Sequence, residues 1–206
     1  MTSTGPVVHV VDDDASVRAA LTRMLRIAGF EVRGYASAVE FLAVRGHAGG
    51  CLVLDVGLPG MSGVELQAVL GKIDESLPIV FLTGRGDIET SVGAMKAGAV
   101  DFLTKPVKRD ALLVAVRAAI ARDADARAHR AELRSLHNRF ATLTTRERQV
   151  FERVIHGKLN KQIADELGTS IRTVKAHRAN VMDKMEVGSL AELVGVGNRL
   201  ENAAHP

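Results

Sequence analysis

The chain has 206 residues, enough for one large domain or two small ones, and with 47% hydrophobic but only 3% aromatic residues any core it builds is aliphatic. Its single cysteine, Cys51, excludes an internal disulfide, no apolar run approaches the roughly 20 residues of a membrane span, and Met1-Thr2-Ser3-Thr4-Gly5-Pro6 lacks the basic start and apolar core of a signal peptide, so a cytoplasmic protein without a membrane partner is expected. The formal charge of +3 is uneven: residues 1–121 hold 12 Lys/Arg against 13 Asp/Glu and residues 122–206 hold 15 against 11, an asymmetry that points to an anion-binding module at the back without establishing one.

Val7-Val8-His9-Val10-Val11 reads as a buried strand that ends in three carboxylates, Asp12, Asp13 and Asp14. Adjacent acids repel one another and persist mainly around a cation or a basic group. Asp14, ahead of Ala15-Ser16-Val17, suits a helix N-cap, which leaves Asp12 and Asp13 without a structural reason. The helix runs over 15–28 with Val17, Leu21, Met24 and Leu25 on one stripe, and Gly29 stops it. A strand over 31–35 and a helix capped by Ser37 follow. Cys51-Leu52-Val53-Leu54-Asp55 is a second apolar run ending in a carboxylate, ahead of a Gly/Pro-rich stretch that cannot continue a strand. In a parallel sheet that places Asp55 at the carboxyl edge, facing a crevice. Cys51, in mid-strand, is a small hydrophobe.

A helix begins near Ser62, and strand 78–83 ends in the hydroxyl of Thr83. A helix is expected over 87–97, closed by Gly98. Strand 101–104 then leads to Lys105-Pro106 and a helix from Lys108 to Ile120 or beyond. Five strand–helix units joined by short loops predict an α/β fold, a doubly wound five-stranded parallel sheet covered on both faces. The order 2-1-3-4-5 common to such sheets would bring Asp12 and Asp13 beside Asp55. Acids, a threonine and a lysine at strand ends form a constellation whose hard oxygens suit Mg²⁺, an ion that shares its shell with waters and phosphate oxygens.

On these residues the stretch 6–121 resembles a response-regulator receiver domain. The resemblance implies that Asp55 is the phosphoacceptor and that Asp12 and Asp13 hold Mg²⁺. It also implies that the backbone carbonyl of Gly57 completes the metal shell. A larger residue is more usual there, but a carbonyl ligand needs no side chain. Thr83 and Lys105 would contact the phosphoryl group, and Thr83 with Phe102 would form the switch. Plainer roles stand beside these: Lys105 as a resting salt bridge to Asp55 or Asp13, and Thr83 as a cap for the following loop.

Residues 122–140 read as a helical linker, either a solvated spacer or a coiled-coil dimer arm, rich in Ala, Arg and Asp, with i, i+4 pairs Asp123/Arg127 and Asp125/His129 and a thin stripe of Leu133, Leu136 and Phe140. Beyond it everything is helical. Thr144 or Thr145 caps one helix, Asn160 a short second one stopped by Gly168, and Ser170 a third, an arrangement with the signature of a helix-turn-helix. A last amphipathic helix begins at Leu190.

Residues 141–200 resemble the LuxR/NarL-type DNA-binding domain of a NarL/FixJ-type regulator, through Leu143-Thr144-Thr145-Arg146-Glu147-Arg148, Asn160-Lys161-Gln162-Ile163-Ala164 and Arg172-Thr173-Val174-Lys175-Ala176-His177-Arg178. By that resemblance Lys175, Ala176 and Arg178 face bases or nearby phosphates, Lys161 and Thr173 fix the register on the backbone, and Arg172 and His177 complete the DNA-facing set.

The expected organisation is a receiver over 1–121, a linker over 122–140 and a DNA-binding domain over 141–206. The expected function is that of a regulator, not an enzyme, phosphorylated on Asp55 by a sensor histidine kinase. It would dimerise through the 87–97 helix with the fifth strand and helix, bind double-stranded DNA and engage RNA polymerase. Two rival readings stand beside this one: an aspartyl-phosphate enzyme, against which the absence of a second acid at Gly57 counts, and a DNA-binding protein with a phosphorylation-insensitive receiver.

Overall fold

The structure is a computed structural model that describes residues 5–44, 49–72, 77–84, 93, 95 and 97–204. The chain divides into two compact units, Met1–Arg127 and Ala128–Pro206.

In the first unit five parallel strands, β1 (Val7–Val11), β2 (Glu31–Tyr35), β3 (Gly50–Asp55), β4 (Ile79–Thr83) and β5 (Asp101–Thr104), lie in the order β2-β1-β3-β4-β5. The runs of Val, Ile and Leu that predicted them are buried throughout β1, β3 and β4, as a sheet covered on both faces requires. Alternate residues supply two cores. Val8, Val10, Cys51, Val53, Val80 and Leu82 belong to one; Val11, Leu52, Leu54 and Phe81 belong to the other. Gly50 opens β3 at φ 147°, and a Cβ there would fall 1.9 Å from the Val7 carbonyl oxygen, so the close approach of β1 to β3 demands glycine.

Three helices of this unit are α1 (Ala15–Ile27), α2 (Ala38–Val44) and α3 (Gly63–Leu70). Asp14 caps α1 by accepting from the Ser16 and Val17 amides, and Ser62 caps α3 in a reciprocal box with Glu65. The helix expected over 87–97 lies almost wholly outside the described residues, and with it most of the expected pairing surface.

The helix after β5, α4, is continuous over Arg109–Ala141, and the boundary between the units falls inside it. Leu112, Leu113, Ala115, Val116 and Ala119 bury its first turns in the first of the two cores of this unit. Asp123 is also buried, and its carboxylate accepts from the Gly50 amide at 2.8 Å, a tie onto the start of β3 that the helical spacing did not signal. Farther along, Leu136 lies in the core of the second unit with Leu133 and Phe140 packed against it, so the thin stripe is core and not solvated spacer.

The second unit adds α5 (Thr145–Ile155), α6 (Asn160–Leu167), α7 (Ile171–Met185) and α8 (Leu190–Ala204) around Leu143, Val150, Phe151, Val154, Ile163, Val174, Val181, Met185, Leu193 and Val196. Thr144 and Glu147 form a capping box, and Ser170 caps α7. Gly168 ends α6 at φ 61°, the left-handed conformation that turns the chain between the two helices. One cap differs from expectation. Asn160 is the first residue of α6, not its N-cap; the Leu159 amide is satisfied by Gln162 Oε1 at 2.8 Å, while Asn160 Oδ1 accepts from Arg178 at 2.7 Å. A charged donor has taken the side chain that would otherwise cap the helix. Among the described residues no helix is long and apolar enough to cross a membrane.

Candidate functional site

The site lies at the carboxyl ends of β1, β3, β4 and β5. Asp12 follows β1 and is fully buried; its amide reaches the Tyr35 carbonyl, and its Oδ1 accepts from the Asp14 amide at 3.0 Å. Asp55 is the last residue of β3 and is 7% exposed, at the floor of the crevice. Asp13 is exposed. The carboxylates of Asp12, Asp13 and Asp55 each offer an oxygen within 4.8 Å of the others.

Lys105 lies between two of these acids. Its Nζ is 2.8 Å from Asp12 Oδ2 and 3.0 Å from Asp55 Oδ1. Its amide donates to the Thr83 carbonyl at 2.8 Å, which extends the β4–β5 pairing by one residue and sends the side chain back across the sheet edge. The sequence named Asp13 as the alternative partner; the second partner is Asp12, because Asp12 is the member of the acid pair turned inward.

Burial pushes the Asp12 carboxyl above its ordinary range even though Lys105 opposes the shift. Burial also works against the Lys105 ammonium, but Asp12 and Asp55 together outweigh it and hold the group above its ordinary value. The result is one half-buried cation bridging two buried carboxylates, with a third carboxylate open to solvent. Such a set of oxygens can hold a hard divalent cation, and Asp55 has its second oxygen left for chemistry.

The surrounding loops are cut to fit. A Cβ on Gly63 would lie 2.4 Å from the Asp55 carbonyl oxygen, so α3 can begin against the end of β3 only with glycine there. A Cβ on Gly57 would lie 3.8 Å from Asp55 Oδ2, which puts that residue's backbone beside the carboxylate. Thr83 is buried, and its hydroxyl donates to the Gly84 carbonyl at 3.0 Å. Phe102 is half-buried, stacked on Phe81 with ring centroids 5.1 Å apart.

One residue absent from the sequence-derived set touches the site. Arg18, in the first turn of α1, donates from Nη1 to the carbonyls of Asp12 at 2.6 Å and Asp13 at 3.3 Å. Its signal in the sequence is the spacing: five and six residues past the acids, where a helix begun at Ala15 turns back toward the end of β1.

In the second unit α7 buries Val174 and Val181 and exposes Arg172, Lys175 and Ala176; Thr173, His177 and Arg178 are half-buried. Lys161 is exposed on α6. The Thr173 hydroxyl is 2.8 Å from Ser170 Oγ and belongs to the cap of α7. Arg178 is anchored by Asn160, which fixes one edge of its guanidinium. Glu147, also missed, is buried and takes Lys184 Nζ at 2.6 Å, a link across 37 residues. That ammonium, the Thr144 amide and the Thr144 hydroxyl hold its carboxyl down to about 2.

Residues 8–117 match the family described as "Response regulator receiver domain", and residues 141–196 the family "Bacterial regulatory proteins, luxR family". Nodulation protein W of Bradyrhizobium diazoefficiens is 45% identical over 204 residues, spanning 98% of this chain and 90% of that protein. Transcriptional regulatory protein FixJ of the same species is 43% identical over 200 residues, 97% of each chain. Among solved structures, response regulator StyR superposes with a TM-score of 0.84 at 49% identity, covering 94% of this chain and 98% of that one.

Proposed function

Because the chain belongs to the two-component response regulators of the NarL/FixJ type, with a receiver and a LuxR-type DNA-binding domain, we propose that Asp55 takes a phosphoryl group from a partner histidine kinase and that this modification controls dimerisation and sequence-specific binding to double-stranded DNA. The observation that supports it best is Lys105 Nζ held between the buried carboxylates of Asp12 and Asp55, with Asp13 completing an acid trio within 4.8 Å.

An oxygen of Asp55 attacks the phosphorus of a phosphohistidine. The phosphorus–nitrogen bond breaks, an acyl phosphate forms, and the imidazole leaves with the bonding pair. Asp55 and the incoming group are both negative, so positioned positive charge governs the barrier. Lys105 supplies a fixed ammonium 3.0 Å from Asp55 Oδ1, close enough to pass to a phosphoryl oxygen. The Thr83 hydroxyl can exchange the Gly84 carbonyl for another phosphoryl oxygen. The donor set fits Mg²⁺: Asp12, Asp13, Asp55 and the Gly57 carbonyl are hard oxygens, and exposed Asp13 leaves room for the waters the ion retains. When bound, that ion offsets the negative charge of the carboxylates and phosphoryl oxygens.

Movement of Thr83 toward a phosphoryl oxygen would vacate space that Phe102, half-buried on Phe81, can enter. Phe102 lacks a hydroxyl and gains burial without needing a hydrogen-bond partner. Dimerisation places two copies of α7 on adjacent half-sites, since one small module buries little surface on DNA. Arg172, Thr173, Lys175, Ala176, His177 and Arg178 with Lys161 form its DNA face, and RNA polymerase is the downstream partner.

Incubation of the full chain with acetyl phosphate and Mg²⁺ tests the first step. One phosphoryl group should appear by intact mass, and Asp55→Asn or EDTA should abolish it. Stoichiometric labelling of Asp55→Asn at another residue would overturn the assignment. Sedimentation of treated and untreated protein tests the second: a monomer in both states, with DNA affinity still rising, would remove dimerisation as the switch.

A further inference from the structure

We propose that Arg18 is a positioning residue for the acid pair: it fixes the main chain of Asp12 and Asp13 so that their carboxylates are aimed before a cation arrives. The inference rests on the metal-binding role of that pair given above and adds to it the group that orients the ligands.

The two carbonyls concerned lie where regular structure cannot serve them. β1 ends at Val11, and the Asp12 amide makes the last tie to β2, at the Tyr35 carbonyl. The α1 ladder begins one residue later than the acid pair, with the Arg18 amide on the Asp14 carbonyl at 2.9 Å. Asp12 and Asp13 therefore bridge a strand and a helix, and their carbonyl oxygens need donors from a side chain. Arg18 Nη1 supplies both, at 2.6 Å and 3.3 Å. One planar, always-charged head spanning two successive carbonyls fixes the peptide between them, and the peptide sets where the two side chains leave the backbone.

A second, independent observation concerns the stem. β2 carries Gly34 opposite Val10 in the register, and a Cβ built on Gly34 would lie 3.4 Å from Arg18 Cγ and 3.5 Å from Cδ. The arginine is half-buried, lying across the strand at the one position in β2 that has no side chain. Its route to the acid pair thus runs from the α1 turn that launches it past Gly34, where a Cβ would make ordinary contact with the stem and only a larger side chain would crowd it.

The charge of Arg18 contributes as well. A guanidinium on the backbone of two adjacent carboxylates reduces their mutual repulsion without occupying the oxygens that a cation needs, whereas Lys105 must take Asp12 Oδ2 directly. Groups that orient metal ligands from behind typically change affinity by ~10–100-fold when removed.

The test is Mn²⁺ binding to the full chain, read from the electron paramagnetic resonance signal of the free ion, with Mg²⁺ as competitor. Arg18→Ala should weaken Mn²⁺ binding by roughly tenfold. Arg18→Lys, which keeps the charge but ends one atom short of the Nη1 that reaches both carbonyls, should give an intermediate loss. Gly34→Val should weaken binding in the same direction, because its branches need the space of the Arg18 stem, although no charge has changed. Asp13→Asn is the control for the underlying site and should lose most of the binding. Unchanged Mn²⁺ affinity in Arg18→Lys and Gly34→Val, with Asp13→Asn impaired, would overturn the positioning role and leave the metal site standing. Full affinity in Asp13→Asn would overturn the metal site itself. Should Arg18→Ala fail to fold, the Lys and Gly34→Val variants still decide the question.

Discussion

Asp12 in the receiver and Glu147 in the second unit are both buried carboxylates that face a lysine, and their energetics run in opposite directions. Glu147 has one ammonium, one amide and one hydroxyl to itself, so its carboxyl is held near 2. Asp12 must share Lys105 with Asp55 in a site that already holds a third acid, so burial wins and its carboxyl rises. A buried charge whose partners are complete stabilises a fold; one whose partners are over-subscribed is a place where something else can bind. The same contrast holds more widely. In the second unit Glu166 draws in both Arg153 and Lys158, and Arg139 reaches Glu186, while Arg172 and Lys175 remain exposed on α7. Its acids belong to the scaffold and its exposed cations are the surplus. In the receiver it is the acids that are in surplus.

Neutralising each carboxylate tests this difference most strongly. Glu147→Gln should destabilise the second unit by about 2 kcal/mol, since it strips the charge from a buried carboxylate that accepts from a half-buried lysine. Asp12→Asn should cost little or raise the melting temperature of the first unit, because it removes charge that burial already penalises. Calorimetry of the two variants, with hydrogen exchange to separate the units, checks both. Equal losses in the two would abolish the distinction.

Acid sharpens it, with a smaller effect. Glu147 has a folded value near 2 against an ordinary 4.5, so its contribution is complete above 4.5 and is lost as pH falls toward 2. Asp12 is raised on folding, so the folded state binds its proton first, and this group's penalty is relieved as pH falls. Between pH 5 and 3, roughly, protection in the second unit should decline in the parent and decline less in Glu147→Gln. In Asp12→Asn the receiver should lose whatever stabilisation the parent gains from protonating that group. A steeper acid loss in Glu147→Gln than in the parent would reverse the sign and refute the pairing.

What could be read from the sequence follows the same division. The placement of Asp12, Asp55, Thr83 and Lys105 together was legible because each lies at a strand end, and parallel strands bring their carboxyl ends to one edge. Caps at Asp14 and Ser170, and Thr144 as one of two candidates, were legible because they act within three residues. Contacts between distant positions were not. Glu147 meets Lys184 across 37 residues, and Asp123 meets Gly50 across 73, so no local pattern marks either. The linker read as solvated because Leu133, Leu136 and Phe140 are sparse; their burial depends on α5, α7 and α8 closing over them. Asn160 was assigned a cap by rule, and a charged donor 18 residues away took its oxygen.

That last contact gives the subtlest test, on the proposed DNA face of the second unit. Lys175 is exposed, whereas Arg178 is half-buried with Nη1 committed to Asn160 at 2.7 Å. A guanidinium has five donors, so one anchored edge leaves the other aimed and lowers the rotamer freedom lost on binding. Lys175→Ala and Arg178→Ala should each weaken DNA binding, and each that meets a phosphate should reduce the salt slope by about one. Asn160→Ala removes no charge, so its slope should match the parent. Its affinity should still drop a few-fold, because Arg178 must then be ordered at the moment of binding. The double variant Asn160→Ala/Arg178→Ala should bind no more weakly than Arg178→Ala alone, since Asn160 acts through the arginine. Fully additive losses would show instead that Asn160 contributes by a separate route, through the start of α6, and that Arg178 is aimed by nothing on this surface.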